Sequence, residues 1–257
     1  MRLIRKVIFL KEFYIDSDGI RLHAKLDMAE GIERGPLCIL FHGFSGNMEE
    51  THLVAAQKTM NEAGLAVLRV EFFGHGKSDG EFMNHTLFKW VNNAISVVNY
   101  AKTLDFVTDL YLCGHSQGGL LTMLVGGMFP DLFKAIIPIS AAWMIPDGAR
   151  EGNLIGISFD PNHIPEKLEN WGVVLSSDYV RVAQMIHPED QIERYPGTVL
   201  LIHGDEDESV PFSLSEKALS LYKNAKLVPI HGEDHCFTRH LDELTAALSA
   251  FFKEELK

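Results

Sequence analysis

The segment Gly114-His115-Ser116-Gln117-Gly118 places a serine between two glycines, where an apolar run gives way to a helical pattern. The pattern G-x-S-x-G between a strand and a helix is typical of a sharp turn that exposes a nucleophilic hydroxyl. The flanking glycines remove side chains that would clash in such a turn, so the strain falls on the backbone of Ser116. The N-terminus of the following helix favours a developing negative charge. We therefore predict that Ser116 is a nucleophile.

A histidine that can activate this serine follows the last apolar run of the chain. A serine hydroxyl is a weak nucleophile at neutral pH and needs a base within hydrogen-bond reach. The run at residues 227–230 leads into a loop that holds His231 and His235. His231 directly ends the run, whereas His235 lies further along the loop and can swing over the sheet edge towards Ser116. We predict His235 as the base, and we expect no metal at the pair because no HExxH helix is present.

An acidic segment after the apolar run at residues 199–202 offers the group that orients this base. A carboxylate beside the histidine fixes its tautomer and stabilises the imidazolium that forms during catalysis. Two of the four acidic residues in the segment, Asp205 and Asp207, are the main candidates. Asp207 lies three residues after Gly204, where the strand-end turn can deliver it to His235, whereas Asp205 also suits a turn or a helix cap. We predict Asp207, which gives the chain order serine, aspartate, histidine.

Backbone amides near the serine are needed to hold the negative charge of a tetrahedral intermediate. Two N–H donors must await the former carbonyl oxygen. The amide of Gln117, directly after the nucleophile, is one donor. The loop after residues 37–41 reads His42-Gly43-Phe44, and its glycine allows close backbone approach. We predict the amide of Phe44 as the second donor and a structural, hydrogen-bonding role for His42.

The elements that must position these residues follow from hydrophobic periodicity. Two β-rich runs, at residues 7–15 and 20–28, flank an Asp-Ser-Asp-Gly turn and predict an antiparallel hairpin. Strands and helices then alternate, which predicts a mostly parallel sheet with helices on both faces and with ligands at the carboxyl ends of its strands. The further strands are predicted at residues 37–41, 66–72, 110–113, 135–139, 199–202 and 227–230, and the helices at residues 48–63, 87–104, 120–128, 212–222 and 241–252.

An irregular segment at residues 141–196 interrupts this alternation. It is too long for an ordinary crossover connection and is rich in proline and glycine. Because it leaves from the carboxyl end of a strand, we predict that it forms a cap subdomain over the site. The core domain would then comprise residues 1–140 and 197–257. The alternative is a peripheral decoration with no role in binding.

Composition and charge limit the partners and the compartment. The formal net charge is −12 and no run of Lys and Arg forms a basic face, so we expect no nucleic-acid partner. The apolar part of the basic opening, residues 7–10, is too short for a signal peptide, and no stretch approaches the length of a membrane helix. The three cysteines, Cys38, Cys113 and Cys236, contain no CxxC pair, and we expect each to pack as a free thiol. We predict a cytoplasmic protein with no cofactor and no membrane partner, and a homodimer is compatible with the sequence.

Taken together, the motifs resemble those of α/β-hydrolase serine esterases, and among them the bacterial cinnamoyl (feruloyl) esterases. The resemblance runs nearly end to end. It includes the segments at residues 42–44, 74–80, 114–119, 204–207 and 234–237, and the cap segments at residues 151–153 and 161–165. It implies an α/β-hydrolase fold with an inserted cap. By position in that family, Asp147 and Tyr179 are expected to bind the phenolic ring of the acyl group. The alternatives are that Asp147 is a turn residue and that Tyr179 belongs to the hydrophobic core.

The expected activity is hydrolysis of a small ester by way of an acyl-enzyme on Ser116, with a hydroxycinnamate or similar aromatic acyl group. Two alternatives stay open at this point. One is a general short-chain carboxylesterase or monoacylglycerol lipase. The other is a catalytically silent ligand-binding member of the same fold, although such proteins usually lack a residue of the triad.

Overall fold

An eight-stranded mixed sheet lies at the centre of the computed structural model, which describes residues 7–29, 33–170 and 172–257. In chain order its first part comprises β1 (Val7–Ser17), β2 (Ile20–Ala29), β3 (Gly35–Phe41), α1 (Thr51–Ala63), β4 (Ala66–Val70), a 3-10 helix (Phe82–Asn84), α2 (Leu87–Lys102), β5 (Val107–His115), α3 (Gln117–Met128) and β6 (Phe133–Ile139). The later part comprises α4 (Ile145–Glu151), β7 (Asn153–Leu154), β8 (Ile157–Ser158), β9 (Lys167–Asn170), β10 (Val173–Ser176), α5 (Ser177–Gln184), α6 (Pro188–Ile192), β11 (Thr198–Gly204), α7 (Ser213–Leu221), β12 (Ala225–Ile230) and α8 (Leu241–Glu255).

The strand order in the sheet is β1-β2-β4-β3-β5-β6-β11-β12. The pairs β1–β2 and β2–β4 are antiparallel, and every later pair in the order is parallel. The predicted N-terminal hairpin and the predicted parallel sheet are therefore confirmed. Phe41 pairs with Gly114, and His115 pairs with Ile139, so the loops that leave the carboxyl ends of β3, β5 and β6 start at the same level.

Helices cover both faces of the sheet, and the sheet separates the hydrophobic core into two clusters. Leu37, Ile39 and Phe41 of β3 pack into the cluster on the side of α2 and α3, whereas Cys38 and Leu40 pack into the cluster on the side of α1 and α8. This alternation follows from the two-residue repeat of a strand. It explains why the central strands read as continuous apolar runs in the sequence.

Helix α1 begins three residues later than the sequence predicts. Its helical pattern was expected from residue 48, but the side chain of Asn47 accepts a hydrogen bond from the amide of Glu49 at 2.8 Å. Such an Asx turn competes with helical hydrogen bonding and delays the helix. Glu50 becomes the N-cap residue, although its side chain makes no capping hydrogen bond.

The segment predicted as a cap, residues 141–196, contains three short helices and two small hairpins. The hairpins pair β7 with β8 and β9 with β10. Arg150 in α4 holds the end of α5, because its guanidinium donates to the carbonyl oxygens of Gln184 and Ile186 at 3.1 and 2.8 Å. Among the described residues of the whole chain, no helix is both long and apolar enough to cross a lipid bilayer.

Candidate active site

Ser116 lies at the junction of β5 and α3 with a strained backbone. Its φ of 57° and ψ of −119° are outside the regions that side-chain-bearing residues favour. Its amide donates to the carbonyl of Ile139 at 2.9 Å, and its carbonyl accepts from the amide of Ala142 at 3.0 Å. The neighbouring strand β6 and the loop after it therefore hold the turn in place. The predicted strain at this serine is confirmed.

Two glycines make this turn sterically possible. A Cβ atom on Gly114 would overlap the carbonyl of Gly118, and a Cβ atom on Gly118 would overlap the carbonyl of His42. The contacts are with backbone atoms, which cannot rotate away. Glycine at both positions lets helix α3 start directly against the end of β3.

The side chains of three predicted residues meet above the carboxyl ends of the strands. His235 Nε2 lies 3.0 Å from Ser116 Oγ, and His235 Nδ1 lies 2.7 Å from Asp207 Oδ2. Asp207 follows β11 and His235 follows β12, as the sequence analysis expected. The Asp207 side chain is fully buried, whereas that of His235 is 17% exposed. A serine, an imidazole and a carboxylate thus form one hydrogen-bonded chain.

The carboxylate of Asp207 receives four hydrogen bonds. Oδ1 accepts from the amides of Ser209 and Val210, both at 2.8 Å. Oδ2 accepts from His235 and also from His203 Nε2, at 3.1 Å. Burial raises the pKa of Asp207, but the hydrogen bonds from His203 and His235 outweigh it and hold the pKa well below its usual range. The group is therefore a carboxylate at neutral pH.

His203, for which no role was predicted, lies against the same carboxylate. Its side chain is fully buried, and its Nδ1 lies 2.7 Å from Ser215 Oγ in α7. With Nε2 donating to Asp207, Nδ1 accepts from the hydroxyl of Ser215. The only signal in the sequence was the position of His203 in β11 next to Gly204, and that position does not reveal a side-chain partner.

The two competing candidates, His231 and Asp205, pair with each other instead. His231 Nδ1 lies 2.7 Å from Asp205 Oδ2, and the His231 side chain is 83% exposed. Asp205 also accepts from the amide of Gly232 at 2.7 Å. This pair lies on the surface and is separate from the chain of Ser116, His235 and Asp207.

The amide of Gln117 directly follows Ser116 in the chain, and the loop that carries the amide of Phe44 packs against Ser116 in the fold. Gln117 is the first residue of α3, and Phe44 follows Gly43, whose backbone packs against Ser116. Within the described residues neither amide donates to another protein group. His42 fixes this loop as predicted, because its Nδ1 donates to the carbonyl of Gly43 at 2.8 Å and its Nε2 accepts from the amide of Phe72 at 3.1 Å.

Another buried imidazole, that of His115, holds the loop that carries His235. His115 Nε2 donates to the carbonyl oxygen of His235 at 2.8 Å. The ring of His115 packs against that of His52 with centroids 4.2 Å apart. Burial, and then the neighbouring His52 and His235, lower the pKa of His115 well below its usual value. His115 is therefore neutral and acts on the backbone of His235.

A cavity of about 860 Å³ opens over Ser116 and His235. Its lining comes from the loop after β3, the loops that carry Asp207 and His235, and the segment at residues 141–196. Asp147 lines this cavity, and its carboxylate pairs with Arg150 at 2.5 Å. Cys236 also lines it and is exposed, so the expectation that this thiol packs in the interior is wrong.

Tyr179 takes a different position from the one expected. Its ring is fully buried and does not line the cavity, and its hydroxyl donates to Gln117 Oε1 at 2.5 Å. It packs against the loop at residues 42–44, with its ring centroid 5.9 Å from that of Phe44. The prediction that this phenol meets an acyl ring is therefore corrected: its hydroxyl is already satisfied by the side chain of Gln117.

The fold and the site together define a serine ester hydrolase of the α/β-hydrolase type. The model of the family described as serine aminopeptidase, S33 matches residues 33–166, just over half of the chain. The chain belongs to this family.

One relative shares about half of its residues with this chain, and two others share about a quarter. Est1E from Butyrivibrio proteoclasticus, solved with ferulic acid bound, is 53% identical over 95% of this chain and 99% of its own, with a TM-score of 0.94. A putative esterase/lipase of Haemophilus influenzae is 23% identical and covers 78% of this chain and 77% of its own. The human protein ABHD12B is 25% identical over 74% of this chain, which spans only 51% of the length of that relative.

Proposed function

We propose that the protein hydrolyses carboxylic esters through an acyl-enzyme, with Ser116 as nucleophile, His235 as base and Asp207 as the acid that orients the base. The observation that carries the proposal is the continuous hydrogen-bonded chain from Ser116 Oγ to Asp207 Oδ2 at the floor of an open cavity. A strained turn, a neutral supporting histidine and two unengaged amides lie around the same hydroxyl.

The geometry supports a two-step reaction. His235 Nε2 removes the proton as Ser116 Oγ attacks the ester carbon, and Asp207 stabilises the imidazolium that results. The amides of Phe44 and Gln117 hold the oxyanion. His235 then gives the proton to the departing alcohol oxygen, so the C–O bond breaks and the acyl group stays on Ser116. Water, deprotonated by His235, releases the acid in the second step.

For the acyl group, we propose a hydroxycinnamate or a similar small aromatic acid. Support comes from Est1E, which is 53% identical and binds ferulic acid. Asp147 stands at the cavity wall in a position to meet a ring hydroxyl, whereas Tyr179 acts indirectly by orienting the side chain of Gln117.

An ester panel on the pure protein, with Ser116→Ala as the blank, tests both levels of this proposal. We expect turnover of p-nitrophenyl butyrate that is lost in the blank, and a kcat/KM for methyl ferulate at least equal to that for p-nitrophenyl butyrate. A ferulate rate at background would leave a general carboxylesterase or monoacylglycerol lipase. Tight binding of ferulate without turnover of any ester would indicate a silent ligand-binding protein.

A further inference from the structure

Glu50 lines the cavity and takes no part in the reaction described above. Its Oε2 atom is buried and has no hydrogen-bond partner among the described residues, although buried carboxyl oxygens are ordinarily paired. The carboxyl lies where a side chain on residue 46 would be, since a Cβ atom on Gly46 would overlap Oε2. The loop after β3 therefore makes room for this carboxyl, and one of its oxygens is left without a hydrogen-bond partner inside the described part of the protein.

Glu50 also lies close to the catalytic base. Burial raises the pKa of its carboxyl, and the amide of Asn47 and the imidazole of His235 act in the opposite direction. Cys236, the residue after the base, interacts electrostatically with the same carboxyl. Gly46, Glu50 and Cys236 thus form the wall of the cavity beside His235.

The alcohol part of an ester must face this wall. His235 Nε2, 3.0 Å from Ser116 Oγ, is the atom that protonates the departing oxygen, so that oxygen has to lie next to His235. The acyl group then extends away from the base, towards the cavity lining supplied by α4, which includes Ile145 and Asp147. A polar group on the alcohol, a few bonds from the ester oxygen, would come within reach of Glu50.

The charge of the cavity limits what that polar group can be. Within the described part of the chain, no Lys or Arg lines the cavity. Four residues of the lining are acidic, namely Glu50, Asp147, Glu151 and Glu208. An anionic alcohol would meet like charges in a partly desolvated cleft, where their repulsion is stronger than in water. A hydroxyl can donate to a carboxyl oxygen without bringing a charge.

We propose that Glu50 is a specificity-determining residue that accepts a hydrogen bond from a hydroxyl on the alcohol part of the substrate. The preferred class is then esters of uncharged polyols, such as glycerol or a sugar. The inference rests on the proposed ester hydrolysis, but it does not depend on the nature of the acyl group.

A pair of esters with one acyl group isolates this effect. We would measure kcat/KM for 1-monobutyrin and methyl butyrate with the wild type, Glu50→Leu and Glu49→Gln. Glu49 is the matched control, because it is the adjacent carboxylate, pairs with Lys25 at 3.0 Å and does not line the cavity. Glu50→Leu should lower the monobutyrin to methyl butyrate ratio about tenfold, the effect of one lost hydrogen bond. Glu49→Gln should leave the ratio at the wild-type value.

Gly46→Ala provides a second route to the same result. Its methyl group would displace the carboxyl of Glu50, so the ratio should fall even though Glu50 is still present. An unchanged ratio in both variants, or an equal loss on both esters, would overturn the inference while leaving ester hydrolysis intact. Absence of turnover of either ester by the wild-type protein would instead remove the proposed function.

Discussion

The two carboxylate oxygens of Asp207 have different hydrogen-bond partners, which together fix the orientation of the buried side chain. Two backbone amides hold Oδ1, so the carboxylate cannot rotate, and Oδ2 is presented to two imidazoles. One imidazole, His203, is itself fixed by Ser215 and stays buried, whereas the other, His235, reaches Ser116. The carboxylate therefore fixes the tautomer of His235 with Nδ1 protonated and leaves Nε2 free to take the serine proton.

Replacing Asp207 by asparagine should remove this control of the tautomer. We expect Asp207→Asn to lower kcat for p-nitrophenyl butyrate by about 10⁴-fold, the loss seen when the carboxylate of such a triad becomes an amide. Asp205→Asn is the matched control, because Asp205 pairs with the exposed His231, and its kcat should stay within about twofold of wild type. Equal rates for the two variants would show that Asp207 does not orient the base.

Among single residues, the sequence predicted those whose role follows from the type of side chain and from a position just after a strand. Ser116, His235 and Asp207 each follow a recognisable strand, so their convergence could be expected. His203 and Glu50 could not be identified, because the contacts of His203 depend on how the loop after β11 folds back onto that strand, and the position of Glu50 depends on how the loop after β3 packs in the fold. Tyr179 was misplaced for the same reason: its position in the chain did not show that its hydroxyl is bonded to Gln117.

At the scale of elements, the turn from β5 to α3 decides whether the site exists. The helix starts directly after Ser116 and packs its first turn on the ends of β3 and β6. Both contacts involve backbone atoms, so the site tolerates no added volume at the start of the helix. Further along, at Gly126, the same helix meets side chains that can adjust.

Two glycine substitutions in α3 should therefore differ sharply. Gly118→Ala would push a methyl group into the carbonyls of Phe41 and His42, and we expect a loss of about 1–3 kcal/mol in the free energy of unfolding together with loss of esterase activity. Gly126→Ala is the control in the same helix, since its methyl group would meet the Ile136 side chain at 3.0 Å, and we expect wild-type activity. Chemical denaturation and p-nitrophenyl butyrate turnover measure both. A Gly118→Ala protein as stable and active as Gly126→Ala would contradict this account of the turn.

The strands and helices of the core were predictable because each is either a short continuous apolar run or an amphipathic stretch, bounded by turn residues. The predictions failed in detail where local hydrogen bonds compete, as at the start of α1, where Asn47 forms a turn. Within residues 141–196 the sequence predicted only an irregular insertion. The hairpins found there have strands of two to four residues, too short for a period to register.

At the scale of the whole molecule, the site is built over a set of buried neutral histidines. Burial lowers the pKa of His42 and His85 to about 3 and that of His52 to about 4, and it also lowers that of His115 well below its usual value. In the unfolded chain a histidine has a pKa of about 6.5. Between these values the unfolded state binds protons that the folded state does not, so stability falls as the pH falls below about 6.5.

We therefore expect the urea midpoint of unfolding to drop steadily from pH 7 to pH 5. Each buried histidine contributes up to about 1.4 kcal/mol per pH unit. His52→Gln should make the drop shallower, because it removes one such group whose Nε2 has no partner among the described residues. His163→Gln, at a side chain that is 85% exposed, should leave the slope unchanged. A midpoint independent of pH over this range would show that these rings are protonated or solvated in the folded protein.

The most direct test of the central claim is covalent labelling with a fluorophosphonate, which forms an Oγ–P bond only with an activated serine and releases fluoride. We expect intact-mass and peptide analysis to show one adduct per chain, on the peptide that contains Ser116. The adduct should be absent in Ser116→Ala and should form about a thousandfold more slowly in His235→Gln. A folded wild-type protein that takes no label, or takes it at another residue, would contradict the account.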